Sequence, residues 1–197
     1  MSPPERLTDD EVIARYDRFL VEFIEKLSIC PWARHARLGG RLGRSVLRLT
    51  EPDVAACVAE LQRLTAVPPE ELDVAVVILP DLALGAGTFM RFVSSVRDAF
   101  TRVSNPPAGY YLVAMHPDMH EDLTDPDRAV GFMRRTPDPS IQLSRVSVIT
   151  AARGTGRNDR GETASETVAR VGLENVLEHG AAEARALLED IRQGRRR

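Results

Sequence analysis

Apolar residues recur at helical spacing near the start of the chain. Val12, Ile13, Tyr16, Phe19, Leu20, Phe23, Ile24 and Leu27 fall on one face, with Arg15, Asp17, Arg18, Glu22, Glu25 and Lys26 between them. Thr8 with Glu11 forms a capping-box pattern at the front, and Pro31 limits the helix to about Ser28. A second helical stripe, Val54, Cys57, Val58, Leu61 and Leu64, follows Thr50 and Asp53. A third, Phe89, Phe92, Val93, Val96 and Phe100, follows Gly85 and Gly87.

Short apolar runs separate these helices. Ser45–Leu49, Val74–Leu79 and Tyr110–Met115 read as strands, and the continuous β-branched run at 74–79 suits the most buried of them. The order strand, helix, strand, helix, strand argues for βαβ units. The expected fold is a small α/β sandwich with a mainly parallel sheet of three strands or slightly more and flanking helices. A ferredoxin-like antiparallel arrangement is the alternative. Ile141–Ala152 reads as helical, residues 154–161 as a polar linker, and Glu162–Gln193 as one helix or two, interrupted near Gly172 and Gly180. The expected division is an α/β domain over 1–153. Residues 154–197 then form a linker, a C-terminal helix and a basic tail on or beyond that domain.

Composition narrows the class. The chain has 197 residues, 43% hydrophobic and 28% charged, with a formal net charge of −3. That is enough chain for one core, and the apolar share excludes wholesale disorder. No apolar run reaches the ~18 residues of a membrane span, so no membrane partner is expected. The polar N-terminus points to a cytoplasmic address. Two cysteines, Cys30 and Cys57, do not make a disulfide scaffold. Lys26 is the only lysine among 26 basic residues, which reads as base-composition bias rather than chemistry.

Four segments carry candidate chemistry. In Cys30-Pro31-Trp32-Ala33 a thiol follows a helix in a proline-ordered turn, near Arg34 and His35. Cationic neighbours favour thiolate, while the negative end of a helix opposes it. The alternative is a small buried hydrophobe, which is the reading for Cys57. Arg34, Arg37, Arg41, Arg44 and Arg48 crowd an acid-free stretch from Cys30 to Thr50 interleaved with glycines. That favours an anionic small molecule over nucleic acid, because the chain as a whole is slightly acidic. The alternative is a surface loop paired with the acidic stretch after Met115. His116-Pro117-Asp118-Met119-His120 follows a strand, where α/β folds place ligands, so His116 is a candidate base or metal ligand. His120 and Asp122 are candidate further ligands, at no standard zinc spacing. Arg134-Arg135-Thr136-Pro137-Asp138-Pro139 holds guanidinium groups in a proline-stiffened loop suited to oxyanions.

Taken together, Leu27-Ser28-Ile29-Cys30-Pro31-Trp32-Ala33, His116-Pro117 and Arg135-Thr136-Pro137-Asp138-Pro139 resemble motifs of an uncharacterised bacterial family, a domain of unknown function. Its members carry Leu-x-Cys-Pro-Phe-Ala, His-Pro and Arg-Ser-Pro-x-Pro in the same order. The resemblance spans about residues 10–152. Here Ile29 intervenes between leucine and cysteine, Trp32 replaces Phe, and His120 has no family counterpart. The resemblance implies no activity, but it raises Cys30, His116 and Arg135 as site residues.

The leading expectation is a small enzyme acting on an anionic small molecule. Cys30 is its nucleophile or redox thiol, His116 its base, Asp118 the orienting acid, and Arg34, Arg135 and Trp32 bind substrate. A metal site on Cys30 and His116, with His120 or Asp118, is one alternative. A non-catalytic binding module is the other. Cys30, His116 and Arg135 are expected to meet in one pocket. No cofactor is specified, and a homo-oligomer is left open.

Overall fold

The computed structural model describes residues 6–104, 109–147 and 157–195. Helix α1 spans Asp9–Arg18, and Thr8 and Glu11 close the capping box at its start. The helix does not then continue as α. Phe19–Glu25 is π-helical, and the wider turn persists where the Lys26 N–H donates to the Val21 carbonyl and the Ile29 N–H to the Ile24 carbonyl. π turns are rare and concentrate at functional sites. The chain leaves through Ser28, the only non-glycine residue with positive φ (50°) among the described residues.

The loop read between Cys30 and Arg44 contains a short helix, α2 (Ala33–Leu38). The first strand, β1, is Leu42–Val46, three residues earlier than the expected 45–49. Then come α3 (Val54–Thr65), β2 (Val74–Ile78), α4 (Ala86–Val103) and β3 (Tyr110–Met115). Asp53 caps α3 by accepting from the Ala56 N–H at 2.9 Å. Helix α5 is Pro126–Met133, with Pro126 at its first turn and Asp125 as cap.

The sheet corrects two expectations. Residues 140–145 form a strand, β4 (Ser140–Arg145), where a helix over 141–152 was expected; 148–152 lie outside the described residues. The sheet order is β1-β2-β4-β3. β1 and β2 are parallel, but β4 enters between β2 and β3 antiparallel to both. The sheet is therefore mixed, not mainly parallel. The cause is local: Ser140, Gln142 and Ser144 alternate with Ile141 and Leu143, a period of two that a strand satisfies and a helix does not.

Alternation along the strands sorts two cores. Ala75, Val77, Leu79, Ile141 and Leu143 face α3 and α4, and Cys57 is wholly buried there. Val76, Ile78 and Met115 face α1, the π segment and α5. The run 75–79 is fully buried in the sheet interior, as its composition predicts. On the second face Tyr16, Phe19, Phe23 and Phe132 stack in a row with ring centroids 5.7–5.9 Å apart.

Helices α6 (Ala164–His179) and α7 (Ala181–Arg192) close the same face, burying Leu173, Val176, Leu187 and Ile191. The expected interruption near Gly172 does not occur. Gly172 lies inside α6, where an added Cβ would come within 2.8 Å of the Met133 sulfur, so it permits helix approach. The break is at Gly180, with φ 100°.

Candidate functional site

Between the sheet and the π segment lies a cavity of about 490 Å³. Its wall is mostly apolar, with Phe19, Leu20, Ile24, Met115 and Met133 contributing. Cys30 and Trp32 open onto it, as does the buried phenol of Tyr16. The size and character are those of a small-molecule site.

Cys30 is half-buried. Burial pushes its thiol pKa up, opposed by the backbone amides of Trp32 and Ala33. The Ala33 N–H also donates to the Cys30 carbonyl oxygen (3.3 Å). The Tyr16 phenol is pushed up by burial first, then by the charges of Asp17 and of the Cys30 sulfur. The Cys30 sulfur thus works against ionisation of the Tyr16 phenol.

Two arginines of this cavity, Arg134 and Arg145, make no salt bridge with a described residue. Arg134 is solvent-exposed, and burial of part of its guanidinium holds its pKa below the ordinary value. Asp73 and Arg145 have hydrogen-bond partners within the protein. Asp73 accepts from Arg41 at 2.6 Å, and Arg145 donates to the Leu72 carbonyl (2.8 Å) and the Tyr110 hydroxyl (2.7 Å).

A second groove of about 380 Å³ shares Ile29, Cys30 and Val168 with the first and adds Arg34. Cys30 is therefore in the partition between two spaces. Arg34 makes no salt bridge with a described residue. The nearby Glu25 feels its charge but gives both oxygens to Arg37 at 2.6 and 2.7 Å. The rest of the basic stretch is paired as a surface alternative requires, but with other acids than expected. Arg44 takes Asp17, Arg48 takes Asp9 and Asp81, and Arg41 takes Asp73, none from the stretch after Met115.

His116 stands elsewhere. It is buried, and its ring packs on Phe89 at 5.5 Å, on the α4 side of the sheet. Its Nε2 lies 2.8 Å from the Leu84 carbonyl oxygen, and its Nδ1 accepts from the Asp118 N–H at 3.0 Å. The carbonyl fixes the proton on Nε2, so both ring nitrogens are spent on backbone. This corrects the expectation of a free base: His116 clamps the loop after β3 to the loop before α4. Asp118 meets the ring only through its backbone. Its carboxylate is 65% exposed and faces Arg192 at 3.3 Å.

Arg135 is engaged too. It donates to the Met119 carbonyl (2.8 Å) and to Glu121 (2.9 Å), and Arg185 takes the other Glu121 oxygen. Asp118 and Arg135 line a separate polar cleft of about 190 Å³. The structure thus brings Cys30, Trp32 and Arg34 together and places His116, Asp118 and Arg135 away from the cavities that Cys30 lines. The reason is the pleat: Met115 points to the π-segment face, and His116, the next residue, to the other. Among the described residues no three His, Cys, Asp or Glu side chains are grouped to hold a metal ion. His120 is exposed. No helix is long and apolar enough to cross a membrane among those residues.

A family described as a protein of unknown function, DUF1415, matches residues 11–177. The chain belongs to this family. The DUF1415 match covers every element that builds the Cys30 cavity and runs past residue 152, through most of α6. No curated protein and no solved structure matches the chain.

Proposed function

We propose that this DUF1415 chain binds an anionic small molecule in the Cys30 cavity, with an apolar body against the π segment and its charge on Arg134. The observation that carries the reading is a solvent-reachable guanidinium, without a carboxylate partner among the described residues, lining a largely apolar cavity. A guanidinium beside apolar surface pairs well with an anion whose apolar body covers that surface. The π segment and the strained Ser28 support it, since both distort the wall of this cavity at residues that line it or adjoin it.

Cys30 is the reactive group of this site. In the enzyme reading it acts on the bound anion without His116 as its base. In the binding-module reading it only contacts the ligand. The test is alkylation of Cys30 by iodoacetamide with decanoate present. Decanoate is expected to slow alkylation in the wild type and to lose most of that effect in Arg134→Ala. Equal rates with and without decanoate in the wild type refute the reading.

A further inference from the structure

The Cys30 cavity holds two polar groups that the fold leaves unused. Tyr16 is only 3% exposed, and it lines the cavity without a hydrogen bond from its hydroxyl to any described residue. Burial pushes its pKa up, so at neutral pH the hydroxyl keeps its proton and is a donor. Gln142 lines the cavity from the sheet side, on β4. It stands in register with Val76 of β2 and Val113 of β3, a polar side chain in an apolar row across the middle of the sheet. Its Nε2 donates to the Ser144 hydroxyl at 3.1 Å, which leaves the Gln142 side-chain oxygen without a partner among the described residues. A buried polar group with no partner destabilises a fold. Phenylalanine at 16 and an aliphatic residue at 142 would fill the same walls without that cost, so folding alone accounts poorly for either.

We infer that the ligand of this cavity carries an amide between its apolar body and its carboxylate, as an N-acyl amino acid does. The Tyr16 hydroxyl donates to the amide carbonyl, and the amide N–H donates to the free Gln142 oxygen. One donor on α1 and one acceptor on β4 match the two ends of a single amide. A ketone or ester would use the phenol alone, and an alkyl chain would use neither. The inference rests on the proposed reading, in which the carboxylate lies on Arg134, and adds what joins that carboxylate to the apolar body. The spacing suits a short joint. The His116 N–H donates to the Arg134 carbonyl (3.1 Å), and His116 is three residues, roughly 10 Å of strand, beyond Val113, which pairs with Gln142. Tyr16 and Gln142 are then specificity residues that favour an amide over a hydrocarbon chain of the same length.

The test compares N-octanoylglycine with undecanoate, an acid of the same chain length, as protectants of Cys30 against iodoacetamide in the 197-residue chain. Half-protection by N-octanoylglycine is expected at about tenfold lower concentration, the effect of two ordinary hydrogen bonds. Tyr16→Phe and Gln142→Leu are each expected to weaken N-octanoylglycine to the level of undecanoate or below. Tyr16→Phe is also expected to keep or raise the Tm, because the hydroxyl that it removes has no partner in the fold. Undecanoate as potent as N-octanoylglycine in the wild type overturns the amide inference and leaves the inner-cavity reading standing. Protection by neither acid overturns both. A preference for N-octanoylglycine that survives either substitution in folded protein overturns the inference, because the amide would then lie elsewhere. A Tm several degrees lower in Tyr16→Phe overturns it too, since the phenol would then serve the fold.

Discussion

Burial raises the Cys30 thiol pKa, so the thiol is protonated at neutral pH when the cavity is empty. The rate of its alkylation is expected to rise with pH along a curve whose midpoint lies above that of an ordinary exposed cysteine. A midpoint below that of free cysteine would contradict the electrostatics described for the cavity. Cys57 gives an internal comparison: burial pushes its thiol up to about 12, so iodoacetamide should label Cys30 and spare Cys57 in folded protein. His116 makes a different demand. Replacing it by Ala removes two backbone hydrogen bonds and the contact with Phe89, and is expected to cost about 2–4 kcal/mol by the usual worth of buried polar contacts and packing. The folded His116→Ala variant should keep the wild-type alkylation rate at Cys30. A large loss of thiol reactivity without loss of stability would restore the ring to the site. In sequence, proline and a helix end single out Cys30 and Trp32, which line the cavity. Arg134 does not stand out, because it differs from Arg135 only in which side of the chain it leaves, and residue type carries no sign of that.

Close approach decides the elements around the site. Gly131 in α5 sits against the backbone of residue 120, where an added Cβ would come within 2.3 Å of the His120 carbonyl oxygen. Gly131→Ala must move α5 or the loop, and is expected to lower stability by about 1–3 kcal/mol, the range for overpacking, by chemical denaturation. A neutral result would mean that the loop over α5 yields freely. The elements themselves were read unevenly. Strands at 74–78 and 110–115 and helices at 54–65 and 86–103 stand out because length and period agree. β4 is hard to see although Ser140, Gln142 and Ser144 alternate with Ile141 and Leu143, because serines and a short run beside prolines weaken the period. Its placement between β2 and β3 was beyond sequence altogether, since strand order depends on which edges remain open after the βαβ units form. The π segment is equally silent: Phe19, Leu20, Phe23, Ile24 and Leu27 fit an α period as well.

Across the whole molecule, ion pairs tie segments far apart in sequence, Arg15 to Asp138, Arg44 to Asp17 and Arg48 to Asp81 among them. The acid response of the molecule is carried by other carboxylates, Asp122 and Glu162, which are held low. Hydrogen bonds from Thr124 and Arg128 hold Asp122 at about 2, and bonds from Arg170 and Asn158 hold Glu162 at about 2, from ordinary values of 3.8 and 4.5. Lowered folded values mean that this stability is present above the unfolded values and is lost as pH falls through the folded ones. The Tm is therefore expected to drop between pH 4.5 and 2, modestly because both groups lie at the surface, where solvent screens them. Asp138 works the other way. Burial raises it against the pull of Arg15, so its contribution is greatest below its unfolded value and is lost as pH rises through the folded one. The variant Asp122→Asn with Glu162→Gln should flatten the acid limb, and an unchanged limb would assign it to other groups. The central claim, that the Cys30 cavity takes an anion on Arg134, is open to one direct reading. Trp32 is the only tryptophan and lines that cavity. Titration with decanoate is expected to shift Trp32 emission saturably in the wild type, and at about tenfold higher concentration in Arg134→Ala, as loss of one charge-assisted contact requires. A wild-type spectrum that does not change, or one that shifts identically in Arg134→Ala, would contradict the claim.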